Sequence, residues 1–151
     1  VEGVLGSVAS VVEKSGANLS SDIGPRPMTV LGNVTALNGA ISNLVTNAIE
    51  AGAKNVKIEL VADTKNVMIS VKNDGPMIKP EVSAHIFEPF YTTKSNGTGL
   101  GLAVVAAVAK VHQGDIRLVS NEKETVFTMI IPKYDGVLEP SESFKDEKSV
   151  A

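Results

Sequence analysis

From Asp74 to Gly99 the chain carries Gly75, Pro76, Pro80, Pro89, Gly97 and Gly99. Proline breaks helix interiors and cannot donate to a ladder, and glycine weakens both elements, so no long helix or central strand fits there. The spacing predicts a long loop, ordered or mobile, with one short helical piece near Glu81 to His85. Loops of this length inside a domain usually carry function. In a chain of 151 residues, 43% of them apolar, there is material for one core and no second one, so this loop belongs to a single domain.

On either side the apolar periodicity is clear. Val4, Leu5, Val8, Val11 and Val12 fall on one helical face, closed by Ser15-Gly16, and Leu37, Ile41, Leu44, Val45 and Ala48 define a long helix from about Thr35 to Ala51. Ala17 to Asp22 and Met28 to Leu31 are expected as two strands around the breaker run Gly24-Pro25-Arg26-Pro27. Val56 to Val61 and Val67 to Val71 alternate about the turn Asp63 to Asn66, which predicts an antiparallel hairpin with one buried face. Gly99 to His112 is small and apolar at nearly every position, predicting a helix buried on most sides. Ile116 to Ser120 and Val126 to Ile131 complete the sheet, Pro132 ends it, and the polar stretch from 134 to 151 is expected as a frayed tail on a domain of residues 1–133.

Charge and composition remove several classes of function. Fourteen basic against 17 acidic residues give a net charge of −3, so no positive field draws a nucleic-acid backbone. The absence of cysteine excludes disulfides, thiolate metal sites and cysteine nucleophiles. The longest apolar run, Leu100 to Val111, is interrupted by Gly101 and falls short of the roughly 20 residues that span a bilayer, so a soluble, cytoplasmic segment without membrane contact is expected. The opening Val-Glu-Gly shows no signal peptide and suggests a piece of a longer chain.

Two patterns carry chemistry. On the long helix Asn43, Asn47 and Glu50 line the side opposite the apolar stripe. A solvated face would more often use Lys, Glu, Gln or Arg, since Asn is a poorer helix former, but that reading stays open on this helix alone. Amide oxygens at i and i+4 can face one Mg²⁺, a hard ion that accepts neutral oxygens when phosphates bring the charge. The second pattern is Gly97-Thr98-Gly99-Leu100-Gly101-Leu102 running into a helix, where a close backbone and free N–H groups suit a pyrophosphate. It is neither a Walker loop nor a dinucleotide fingerprint.

Taken in order, Asn43-Leu44-Val45-Thr46-Asn47-Ala48-Ile49-Glu50-Ala51, Asn73-Asp74-Gly75-Pro76, Ile86-Phe87-Glu88-Pro89-Phe90-Tyr91-Thr92-Thr93-Lys94 and the glycine run resemble the catalytic, ATP-binding domain of bacterial two-component sensor histidine kinases, within the Bergerat (GHKL) superfamily. The resemblance spans roughly residues 4–133, and the asparagine box is similar to that of the nitrogen-regulator-like subtype. It implies an α/β fold: a two-layer Bergerat-type sandwich, with a mixed, mostly antiparallel sheet, helices on one face and a mobile ATP lid. By the same resemblance Asn47 would ligate Mg²⁺ with Asn43 beside it, Asn43 and Lys94 would be the catalytic pair, and Lys94 would reach the phosphates from the lid. Gly97, Thr98, Gly99, Leu100 and Gly101 would wrap the phosphates, with Ile78, Thr93 and Thr125 also at the nucleotide and Gly75 letting the base approach.

The implied activity is transfer of the γ-phosphoryl group of ATP to a histidine on a separate dimerisation domain, which then serves the receiver domain of a response regulator. Neither His85 nor His112 sits in a phosphoacceptor context, so the acceptor lies outside this chain. In the water-activating ATPases of the superfamily a glutamate stands where this chain has Asn43, which cannot act as a base. Three departures from the family pattern stand out. Asp-Asn-Gly-Pro-Gly becomes Asn73-Asp74-Gly75-Pro76-Met77, so the adenine acceptor is either the Asn73 amide or the Asp74 carboxylate. Glu50 replaces a common basic residue, and Glu124 a common glycine. An amide accepts without charge assistance, which makes the alternative a same-fold interaction module with weakened or lost nucleotide binding. His112 is expected as a helix-end residue, Phe87, Phe90 and Tyr91 as packing residues, and Asp22 and Asp63 as solvated charges.

Overall fold

The computed structural model describes residues 2–24, 28–93 and 99–134. The chain runs α1 (Glu2–Ser15), β1 (Asn18–Ile23), α2 (Val34–Glu50), β2 (Asn55–Ala62), β3 (Asn66–Asn73), α3 (Pro80–Ser83), α4 (Gly101–Val111), β4 (Asp115–Ser120) and β5 (Thr125–Pro132). The five strands form one sheet in the order β1-β2-β3-β5-β4, with β1 parallel to β2 and every other pair antiparallel. Helices α2 and α4 pack against each other and cover one face of the sheet, and α1 packs on α2. This is the two-layer, helices-on-one-face sandwich that the resemblance implies.

Strict alternation builds the inner face. Val67, Ile69 and Val71 of β3, and Phe127, Met129 and Ile131 of β5, are all buried, and they form one core with Leu37, Ala40, Ile41, Leu44, Val45 and Ala48 of α2 and Val105 and Ala109 of α4. The outer face is polar across its middle, where Glu59 lies 2.9 Å from the Nζ of both Lys57 and Lys72. These two ammonium groups, Lys72 foremost, hold the Glu59 carboxyl below its ordinary range.

Several expectations are corrected. Met28 to Leu31 is no strand but a single bridge, Val30 to Lys133. β5 is already flanked by β3 and β4, and Pro132 has no N–H to extend the ladder, so only residues beyond it can pair with this segment. β1 therefore pairs in parallel with β2, more than 30 residues on, instead of folding back across the breaker run. Of that run, residues 25–27 lie outside the described residues, as do the tail residues 135–151. Helix α4 is less enclosed than expected: Val104 and Val111 are exposed, and among the described elements the helix packs chiefly on α2 and the sheet. Asp63 is more than a solvated charge; its Oδ1 accepts from the backbone N–H of Lys65 and Asn66 at 2.7 Å and closes the β2–β3 turn. Asp22 lies 3.7 Å from Lys57 Nζ.

Candidate nucleotide site

Three inward-facing rows of the sheet end alike. On β3 the row Val67, Ile69, Val71 ends on Asn73, on β5 the row Ile131, Met129, Phe127 ends on Thr125, and on β4 the row Ile116, Leu118 ends on Ser120. Register places Asn73 opposite Thr125, and Thr125 opposite Ser120, so the three polar residues form one line across the end of the sheet. Asn73 is 7% exposed and Thr125 1%. Buried polar groups must be bonded, and each of these residues makes at least one hydrogen bond. Asn73 Oδ1 accepts from Gly75 N at 2.9 Å, the Ser120 and Thr125 hydroxyls lie 2.6 Å apart, and Ser120 Oγ accepts from Ile78 N at 2.9 Å. Ser120 was not among the residues singled out in the sequence. Its signal was there, as a hydroxyl residue ending an apolar period-2 row.

The α2 helix brings the asparagines to the same end. Its N-cap, Asn33, accepts from Ala36 N through Oδ1, which starts the helix and fixes its rotation. The end is a Schellman turn: Gly52 N bonds Ile49 O, Ala53 N bonds Ala48 O, and Gly52 takes φ +93°, a conformation that disfavours side chains. The turn sets Ala53 beside Gly75. With Leu44, Val45 and Ala48 pointing into the core, Asn43 and Asn47 are left half-buried on the flank. Asn43 Nδ2 donates to Gly101 O at 3.3 Å, so α2 meets the first turn of α4 here.

That first turn has Leu100 as its cap, a residue whose side chain makes no capping hydrogen bond. Gly99, at φ +72°, lies so close to Phe90 that a Cβ would stand 2.3 Å from the Phe90 carbonyl carbon, and Phe90 N donates to Gly99 O at 2.9 Å. The two ends of the segment between Phe90 and Gly99 are thereby held together. Phe90 itself is 76% exposed at φ +67°, against the expectation that it packs, whereas Phe87 stacks edge-on against Phe127 with centroids 6.1 Å apart. Thr93 is exposed. Lys94, Gly97 and Thr98 lie outside the described residues.

Asp74 turns away from this cleft. Its Oδ1 accepts from the backbone N–H of Lys54 and Asn55 at 2.8 and 2.9 Å, and its Oδ2 from Asn55 Nδ2 at 2.8 Å. The Asn55 backbone N–H above all, then its side chain, keeps the Asp74 carboxyl below the usual carboxylate range. His112 is also committed: it is buried, Nδ1 donates to Val108 O at 2.7 Å, and Nε2 accepts from Asn33 N at 3.0 Å, which fixes the Nδ1–H tautomer. Among the described residues no three His, Cys, Asp or Glu side chains gather to hold a metal ion. The amide oxygens of Asn43 and Asn47 do suit a Mg²⁺ whose remaining ligands are phosphate and water, because that ion seldom uses an all-protein cage.

Comparison with known proteins agrees with this fold. Residues 32–135 match the family of histidine kinase-, DNA gyrase B- and HSP90-like ATPases. The chain is 35% identical over 120 residues to the sensor histidine kinase CpxA of Escherichia coli K12, which covers 76% of this chain and 26% of CpxA. It is 38% identical over 109 residues to the heme sensor protein HssS of Staphylococcus aureus JH9, covering 68% of this chain and 23% of HssS. It thus spans about a quarter of the length of the curated relatives it matches. Among solved structures, the catalytic domain of histidine kinase ThkA superposes with a TM-score of 0.79 at 32% identity, covering 87% of this chain and 89% of that one.

Proposed function

Because the chain belongs to the family of histidine kinase-, DNA gyrase B- and HSP90-like ATPases, we propose that it is the catalytic domain of a two-component sensor histidine kinase. It binds Mg-ATP and presents the γ-phosphoryl group to a histidine on the dimerisation domain of the parent kinase, from which a response-regulator receiver domain is phosphorylated. The observation that carries this reading is the meeting of three elements at one end of the sheet: the Asn43–Asn47 flank of α2, the first turn of α4, and the Asn73–Thr125 row.

Each part has a role. Phosphoryl transfer asks the protein for position and charge neutralisation, with little covalent help. The N–H groups of the α4 first turn, with Gly99 and Gly101, hold the phosphates, and the positive end of the helix dipole supports them. Asn47, with Asn43 beside it, would hold Mg²⁺, whose charge would offset that of the phosphates. Asn73 keeps one Oδ1 lone pair free of Gly75 N–H and uses it to accept from the base. Asp74, with both oxygens committed to the start of β2, takes no part in base recognition. Thr125 and Ile78 border the base, and Thr93, Lys94, Gly97, Thr98 and Leu100 belong to the phosphate end.

Asn43 is an amide bonded to Gly101 O and cannot deprotonate water, so the domain favours a histidine acceptor over hydrolysis. Residues 1–133 form the catalytic unit, and it works in the cytoplasm. Among the described residues no helix is long and apolar enough to cross a membrane. The test is reconstitution: with labelled Mg-ATP the chain alone forms no phosphohistidine, and it phosphorylates the histidine-bearing dimerisation domain of its own parent when that is added. Phosphohistidine on the isolated chain, or steady ATP hydrolysis without an acceptor, would refute this assignment.

A further inference from the structure

The polar end of the sheet also bears on which base the site takes. The orientation of the Asn73 amide is set by chemistry: Gly75 N–H can only donate, so the atom 2.9 Å from it is Oδ1, and Nδ2 is the end left over. Among the described residues Nδ2 has no hydrogen-bond partner. No side-chain nitrogen or oxygen among them is both sealed from solvent and unbonded, so Nδ2 keeps some solvent contact in a residue that is itself 7% exposed. A carboxylate at this point would only accept, which matches a 6-amino group and repels a 6-oxo oxygen. An amide both accepts and donates.

We propose that Asn73 lets this site take 6-oxopurine nucleoside triphosphates, of the hypoxanthine and guanine class, alongside adenine nucleotides. Nδ2–H donates to the O6 of a 6-oxopurine, and the free lone pair of Oδ1 accepts from the amino group of adenine. Asparagine reads the edge of adenine through its donor–acceptor pair in other settings, so adenine is not lost. The neighbouring hydroxyls support the same dual reading. In the Ser120–Thr125 pair, at 2.6 Å, either hydroxyl can donate, so the proton direction of the row can reverse with the base. Purine N1 carries a proton in hypoxanthine and guanine and none in adenine, and a reversible hydroxyl pair accommodates both.

This inference rests on the cleft being a nucleotide site. Its test is titration of the chain, with Mg²⁺, by non-hydrolysable analogues of ATP and inosine triphosphate, whose bases differ only at the 6-position and the N1 proton it dictates. Wild type is expected to bind the two within about threefold of each other, less than one good hydrogen bond is worth. Asn73→Asp is expected to favour the ATP analogue by at least ~tenfold, as a site with two acceptors rejects an acceptor base. Wild-type rejection of the inosine nucleotide by tenfold or more would overturn the proposal, and so would an Asn73→Asp variant that binds both equally, since the base would then go unread at this position. Where ATP binds and the inosine nucleotide does not, only this inference fails. Where neither binds to folded chain, the nucleotide-site reading fails with it. If Asn73→Asp does not fold, the wild-type ratio decides alone.

Discussion

The antiparallel pair α2 and α4 has two unlike ends. At one, His112 locks the last turn of α4 to the N-cap residue of α2, with both ring nitrogens bonded and the ring buried. At the other, a 3.3 Å bond from Asn43 to Gly101 joins the helices, and α2, 17 residues against 11, runs on past the start of α4. The overhang, from Asn43 to Glu50, is about 10 Å of helix at 1.5 Å per residue. It leaves Asn47 and the polar row of the sheet uncovered by α4. The closed end has its polar groups committed to the fold, and the open end brings the start of α4 beside the asparagines of α2. Stability and binding should therefore separate along this one helix pair.

The largest effect is expected from breaking the closed end. A Cβ at Gly32 would sit 2.1 Å from His112 Cδ2, so Gly32→Ala displaces the ring and strips Asn33 N–H of its acceptor. Overpacking and a lost buried hydrogen bond together cost about 2–4 kcal/mol. Thermal unfolding should show a fall of several degrees with nucleotide affinity kept in the folded fraction; an unchanged melting temperature would dissolve the contrast. At the open end the sign of the trade reverses. Asn47→Ala should weaken Mg-dependent ATP binding at least ~tenfold, the value of one hydrogen-bonded ligand contact. Its melting temperature without nucleotide should move by less than about 3 °C, as for a substitution outside the core. Calorimetric titration beside a melt reads both, and a large loss of stability with intact binding would count against the assignment.

Two smaller changes sharpen the picture at the open end. Phe90 stands exposed at φ +67°, where asparagine sits more readily, so Phe90→Asn should stabilise the chain by about 0.5–1 kcal/mol in a denaturant titration. A destabilised variant would mean that the Phe90 ring is held by contacts. Asp74→Asn tests the exposed clamp on β2. The Asp74 carboxyl is depressed in the fold, so its contribution is present above the ordinary value of 3.8 and is lost as pH falls through the lowered one. The variant should therefore be less stable than wild type at pH 7 and equal to it in strong acid, which urea melts at the two ends of that range would check.

Local rules made most of the elements legible. The α2 face, the β2–β3 hairpin and the ends of β4 and β5 follow from periods of 3.6 and 2 and from breakers beside them. The asparagine pair was legible for the same reason, since a stripe opposite an apolar face needs no tertiary information. What the sequence hid is what joins distant residues. Asn33 and His112 lie 79 positions apart and meet only because the helices run antiparallel. Ser120 matters through register with Thr125, and the parallel β1–β2 pairing depends on which sheet edge is left vacant. Which of Asn73 and Asp74 faces inward turned on strand parity: the inward position belongs to residue 73, and residue 74 is one step past the strand.

The Phe90–Gly99 bond has a consequence for how such a domain can change. Because those two residues hold each other at the mouth of the cleft, the backbone arriving at Phe90 and leaving Gly99 is positioned independently of how many residues lie between them. Doubling a loop closed in this way costs only about 0.6 kcal/mol in chain entropy. The stretch between the two anchors is thus a cassette: its length and composition can be exchanged while Asn47, Asn73 and the α4 first turn keep their places.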